Sequence, residues 1–187
     1  MKSPFYFIVK PLKGRRYDNT REIGGIEFVV STSEEDHKFS NRYAEVVELP
    51  IGYTGGVKVG DTLLVHHNVF KFYNDMKGRQ RSGRSFFKDD LFFIDSEQFF
   101  MYKNETGWNA YDRYCFVKPI KREDSVIFKN SVEEPLVGIM KYPNEYLTSM
   151  GINPGDRVSF TPESEYEFTV DDEKLYRVYD HQITMSL

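Results

Sequence analysis

Four segments occur twice in this chain, in the same order, and nothing else in the sequence constrains the fold as strongly. Phe7-Ile8-Val9-Lys10-Pro11-Leu12-Lys13 matches Cys115-Phe116-Val117-Lys118-Pro119-Ile120-Lys121. Residues 44–50 (AEVVELP) match 136–143 (LVGIMKYP), both strand-like and both ending at proline. Residues 57–65 (VKVGDTLLV) match 152–160 (INPGDRVSF). There a Gly-Asp turn leads into an alternating strand: glycine supplies positive φ, and aspartate bonds its own downstream backbone. Residues 91–101 (LFFIDSEQFFM) match 175–185 (LYRVYDHQITM). Ordered matches of this kind imply a tandem duplication.

The separation between matched positions falls from 108 residues (Val9 to Val117) to 95 (Gly60 to Gly155) and then 84 (Leu91 to Leu175). Each fall marks extra residues in copy one. The first covers residues 13–43, which include a Gly24-Gly25 pair followed by Ile26-Glu27-Phe28-Val29-Val30 between polar arms. The second covers residues 66–90, a basic and aromatic excursion. Insertions on a shared scaffold are where function concentrates. The predicted division is a first domain at 1–102, a connector at 103–113 packed down by Trp108 and Tyr111, and a shorter second domain at 114–187.

The chain has 187 residues, 40% of them hydrophobic, with 16 Phe and 13 Tyr. That aromatic load favours strands. Helical period is confined to single turns at 144–150 and 96–100. The expected class is all-β: two tandem small β-barrels with short helical turns only. A net charge of −4 with interspersed signs argues against nucleic acid or an anionic membrane as the general partner. The single cysteine, Cys115, excludes an internal disulfide framework and a thiolate zinc site. Its neighbours Tyr114 and Phe116 make it a buried strand thiol rather than a nucleophile. The apolar run at 5–9 is too short for a signal-peptide core, and no stretch approaches a membrane span, so a cytoplasmic setting is expected.

The order of these motifs resembles the chaperonin-10 (GroES-like) co-chaperonin family. The residues that carry the likeness are Lys10-Pro11-Leu12, Gly24-Gly25-Ile26-Glu27-Phe28, Ala44-Glu45-Val46-Val47, Val57-Lys58-Val59-Gly60-Asp61 and Asp95-Ser96-Glu97. It spans nearly all of copy one and, more loosely, residues 116–185 of copy two. The tandem layout is similar to the double co-chaperonins of plastids, and the aromatic load to co-chaperonin-like proteins of large tailed phages. Residues 49–57 are too few for the roof hairpin that many members carry, and the 66–85 excursion is foreign to the pattern. Copy two lacks the Gly-Gly-apolar tripeptide and has Val126-Ile127-Phe128 in its place.

The resemblance implies docking on a chaperonin ring (GroEL-like), homo-oligomeric assembly, no cofactor and no catalysis, in the host cytoplasm if phage-encoded. Gly24, Gly25, Ile26, Phe28, Val29 and Val30 would form the docking loop, with Val126, Ile127 and Phe128 as a second-copy contact. In an extended loop Ile26, Phe28 and Val30 share one side, though the same residues would also suit the inward face of an ordinary strand with Gly24-Gly25 as its turn. Weak contacts multiplied around a ring become firm through avidity. An alternative is a structural or virion-assembly protein reusing the fold as a scaffold, associated with the virion. A third is a single-stranded nucleic-acid-binding barrel through the basic residues Lys71, Lys77, Arg79, Arg81 and Arg84 and their interleaved aromatics; a solvated hairpin or a subunit contact would use them equally. His66-His67, with His37 and Asp75, invites a metal reading. Adjacent strand residues point to opposite faces, which argues against a shared ion. Phosphate-loop, nucleophile-elbow and HExxH signatures are missing.

Overall fold

A computed structural model describes residues 2–17, 20–23, 26–29, 40–121 and 133–187, with the backbone alone at 20–23 and 26–29. The chain divides into two compact units, Met1–Gly107 and Trp108–Leu187. Both are built from antiparallel strands, and the one α-helix among the described residues is α1 (Glu145–Ser149). Its first turn is capped by Asn144, whose side chain accepts from the Leu147 N–H at 2.9 Å. The chain is therefore all-β apart from this helix and short 3-10 turns.

The first unit contains β1 (Phe7–Pro11), β2 (Thr20–Ile23), β3 (Ile26–Val29), β4 (Tyr43–Glu48) and β5 (Thr62–Val65). It continues with β6 (Phe72–Asn74), β7 (Gln80–Ser82), β8 (Phe86–Lys88), β9 (Leu91–Ile94) and β10 (Phe99–Asn104). The chain passes between units within β11 (Gly107–Ala110). The second unit contains β12 (Tyr114–Lys121), β13 (Glu133–Tyr142), β14 (Arg157–Phe160), β15 (Tyr166–Val170), β16 (Glu173–Tyr179) and β17 (Ile183–Ser186).

The main row of the first unit runs β10-β5-β4-β1-β9-β8, and that of the second runs β17-β14-β13-β12-β16-β15. Each strand of one row has its repeat partner at the same place in the other. The register repeats as well. Phe7 faces Ile94 and Val9 faces Phe92, as Cys115 faces Val178 and Val117 faces Tyr176. Leu63 faces Tyr102 and Val65 faces Phe99, as Val158 faces Ser186 and Phe160 faces Ile183, with a bulge at the same step. A one-residue slip would turn every buried side chain outward, so two copies sharing these registers share one core design.

The Gly-Asp turns repeat to the atom. Gly60 and Gly155 sit at φ +92 and +99. The Asp61 carboxylate accepts from the Lys58 N–H at 2.8 Å, and that of Asp156 from the Asn153 N–H at 2.7 Å. The second matched strand differs in one respect: Ala44 and Gly138 occupy equivalent positions opposite Pro11 and Pro119. A Cβ on Gly138 would lie 2.7 Å from the Lys118 carbonyl oxygen and collide with Val117, which is why this position carries glycine.

The first core gathers Phe7, Val9, Leu63, Val65, Phe92 and Ile94, all buried. The second gathers Cys115, Val117, Met140, Leu147, Val158, Phe160 and Val178. Closed barrels were expected, but among the described strands neither row closes on itself. The end strand β8 has three residues and an interrupted register with β9, and β15 at the other row's end pairs with β16 alone among the described strands. The 96–100 turn forms without helix; its counterpart Asp180–Gln182 is a single 3-10 turn. Each turn is tied by a glutamine: Gln98 Oε1 accepts from the Asp95 N–H at 3.1 Å, and Gln182 Oε1 from the Tyr179 N–H at 3.0 Å.

Candidate docking site

The expected docking segment leaves β1 and returns to β4, and the structure anchors both of its legs. Tyr17 and Ser40 form an antiparallel bridge. Asn41, 3% exposed, ties the legs together. Its side-chain amide donates to the carbonyls of Leu12 at 3.1 Å and Arg15 at 2.7 Å, and its Oδ1 accepts from the Tyr43 N–H at 2.9 Å. The Asn41 N–H donates to the Arg16 carbonyl at 2.9 Å. An asparagine has the donor and acceptor needed to serve both legs at once, and burial makes each bond costly to lose.

Within the segment, β2 and β3 pair with each other and not with the main row, Arg21 facing Phe28 and Ile23 facing Ile26. The backbone of Ile26, Phe28 and Val29 thus belongs to a separate two-stranded ribbon. Gly24, Gly25, Val30 and His37 lie outside the described residues, as do Val126, Ile127 and Phe128 of copy two.

The second copy anchors the corresponding place with different chemistry. Lys121 faces Glu133 across the β12–β13 ladder. The Glu133 carboxylate accepts from Lys174 Nζ at 2.8 Å and from the Tyr176 hydroxyl. Partial burial would raise the Glu133 carboxyl, but the hydrogen bonds from Lys174 and Tyr176 outweigh it and hold the group below its ordinary range.

Next to the first stem lies the second insertion of copy one. Arg16 sends its guanidinium among three phenyl rings, 4.4 Å from the Phe72 centroid, 4.8 Å from Phe92 and 4.9 Å from Phe86. It also donates to Ser82 Oγ at 3.0 Å. Desolvation there lowers the Arg16 pKa from its ordinary value, yet an arginine remains charged. Tyr17 stacks on Phe72 with centroids 5.8 Å apart, and its hydroxyl accepts from the Phe72 N–H at 3.0 Å. Ser40 Oγ donates to the His67 carbonyl at 2.8 Å. The two insertions, separate in sequence, meet at Arg16, Tyr17 and Ser40.

The basic excursion is a β6–β7 ribbon, Phe72 facing Ser82 and Asn74 facing Gln80. Asp75 organises its turn. One carboxylate oxygen accepts from the N–H groups of Lys77 and Arg79, both at 2.9 Å, and the other from Arg81 Nε at 3.3 Å. The Arg79 and Lys77 N–H bonds hold its carboxyl below the usual range. Asp75 is therefore committed to the turn, and Lys77, Arg79, Arg81 and Arg84 project from an exposed ribbon, with Lys71 half-buried at its base.

His66 and His67 are not on opposite faces. They follow the end of β5, where alternation no longer holds, and their rings pack with centroids 4.1 Å apart. His66 Nδ1 accepts from the Asn68 N–H at 3.2 Å. Among the described residues no group of three or more His, Cys, Asp or Glu is arranged to hold a metal ion. Cys115 is buried, its thiol pushed up to about 12 by desolvation first and the Asp180 charge second, and its Sγ donates to the Val178 carbonyl at 3.5 Å. No described helix is long and apolar enough to cross a membrane.

Arg16, Tyr17, Ser40, Asn41, Glu133, Lys174 and Tyr176 were not singled out from sequence. The only signal was indirect: the first four and Glu133 flank the points where the two copies stop matching. No protein-family model matches this chain, and no curated protein is significantly similar to it.

Proposed function

We propose that this protein is a GroES-like docking protein that presents residues 18–39, and in its second copy residues 122–132, to a chaperonin ring. The observation that carries the reading is that the two units share strand order and the register of their matched strands, while copy one lengthens at a connection that copy two keeps short. Each connection springs from an anchored stem, Asn41 in one and Glu133 in the other. A fixed scaffold with anchored stems confines a binding segment in space, which reduces what association must order. The β2–β3 ribbon supports a docking role because it takes no place in the main row. Ile26 and Phe28 would supply apolar burial worth about 1.5–3 kcal/mol each before ordering costs.

The test is capture of this protein by a purified chaperonin ring with and without ATP, comparing wild type with Ile26→Ser/Phe28→Ser. Nucleotide-dependent capture of the wild type, lost in the double variant, is the expected result. No capture of the wild type at micromolar concentration overturns the reading, and co-purification with virus particles in its place favours a structural scaffold.

A further inference from the structure

The two copies fill one equivalent place differently, and that difference leaves an open site in the first. In the second unit Arg177 lies among three tyrosine rings, 5.2 Å from the Tyr114 and Tyr179 centroids and 5.4 Å from Tyr166. The shared registers identify the equivalent residues of the first unit. Tyr6 stands for Tyr114, Phe93 for Arg177 and Asp95 for Tyr179. Ser85, whose carbonyl accepts from the Phe93 N–H at 2.6 Å, stands for Tyr166, which faces Arg177. Replacing a tyrosine by Ser85, and the long arginine by Phe93, leaves a depression of about 450 Å³ walled by Tyr6, Phe93, Arg84 and Asp95. A second depression of about 420 Å³ shares Arg84 and Ser85 with the first and is walled by Phe72, Tyr73 and Lys71. Gln98 lies in the floor of both and donates to Ser85 Oγ at 3.2 Å.

We infer that this paired depression binds single-stranded nucleic acid, one base in each hollow and the intervening phosphate on Arg84. Tyr73 and Tyr6, 53% and 45% exposed, offer ring faces, and Phe93 backs Tyr6 with centroids 6.1 Å apart. Aromatic faces and a backbone-tracking cation are the two components such binding needs. Lys71 lines the second hollow beside Arg84, and Asp75 of the β6–β7 turn is committed to that turn and to Arg81. The hollows are lined by Arg84 and Lys71 against one carboxylate, Asp95, in a chain of net charge −4, so the inference concerns one face and not the whole molecule. An acidic protein surface would satisfy the cations but leave the rings without partners, which is why nucleic acid is the better fit. The inference does not depend on the chaperonin proposal.

The test uses the full chain and fluorescein-labelled twelve-nucleotide oligodeoxythymidylate and oligouridylate, read by anisotropy, with a twelve-base-pair duplex and thymidine monophosphate as comparators. Wild type should bind the single strands in preference to the duplex and the mononucleotide. Raising salt from 50 to 200 mM should weaken binding by roughly two- to threefold for the one phosphate held on Arg84. Arg84→Glu, Tyr73→Ala and Tyr6→Ala should each weaken it by about tenfold; these side chains are exposed or half-exposed, and unchanged thermal unfolding verifies that the variants are folded. Absent binding overturns the inference, as does binding indifferent to all three substitutions. Salt-sensitive self-association lost in Arg84→Glu, without oligonucleotide binding, also overturns it. That result would assign the face to an acidic surface such as Glu163, Glu165 and Asp172 of a second copy.

Discussion

The guanidinium of Arg16 lies 4.4 Å from the centre of the Phe72 ring, and through this contact the two insertions of copy one become a single feature. Arg16 stands at the foot of the segment between β1 and β4, and Phe72 begins the ribbon between β5 and β8. Either insertion alone would leave the other without its packing partner.

A double-mutant cycle on Arg16→Ala and Phe72→Ala measures this joint. Partly desolvated cation–ring contacts couple by about 0.5–2 kcal/mol, and neighbours in contact are non-additive by similar amounts. Amide exchange should accelerate across Phe72–Asn74 and Gln80–Ser82 in either single variant, while Glu173–Tyr179 in the second unit stays protected. Additive effects would show that the contact carries no energy.

Asn41→Ala should destabilise the first unit by about 1–3 kcal/mol, because the carbonyl of Arg15 and the N–H of Tyr43 lose partners in a buried place. Urea unfolding followed by amide exchange in β4 and β5 reads this loss. Asn41→Asp keeps the acceptor for Tyr43 but sets a buried carboxylate against the carbonyls of Leu12 and Arg15, so it should cost at least as much as alanine. Equal stability of all three proteins would mean that the stem is held elsewhere.

Acid should weaken the second unit. The carboxyls of Glu133 and Glu173 are held below their ordinary values, Glu133 against its burial by Lys174 and Tyr176, and Glu173 by Lys118 and then Lys141. A carboxyl with a depressed folded pKa adds stability above its unfolded pKa of about 4.3 and loses it as pH falls through the folded value. Lys174 is shifted upward, chiefly by Glu133, so it stays charged throughout this window and its own contribution is lost only at strongly alkaline pH. Trp108, the one tryptophan, lies in the second unit and is nearly buried, so its fluorescence follows that unit in denaturant. The midpoint should drop between pH 7 and pH 3, and Glu133→Gln should flatten part of that drop. An unchanged slope in the glutamine variant would remove Glu133 from the account.

Much of the scaffold was legible in the residues. Duplicated segments keep their strand partners because each carries the same alternation into the same kind of core, so the order of matches foretold the repeated rows. The Gly60-Asp61 and Gly155-Asp156 turns were legible for the same reason: positive φ and a local carboxylate bond are properties of those two residues. His66-His67 shows where such reasoning stops. Opposite faces for these two histidines require a strand that continues through them, but β5 ends at Val65, and past that end the rings come together.

By itself, then, the sequence determined the all-β class, the duplication, the turns and the two points where copy one is longer, since propensity, period and turn chemistry act over a few neighbouring residues. Tertiary structure alone decided that the rows stay open among the described strands, that Asn41 binds the legs of one insertion, and that Arg16 joins it to the other. It also decided that Arg177 fills in one copy what Tyr6, Ser85 and Phe93 leave open in the other. Those outcomes depend on which side chains meet across sheets after long stretches of chain have closed, and no local pattern encodes the partner of a guanidinium 56 residues away from its ring.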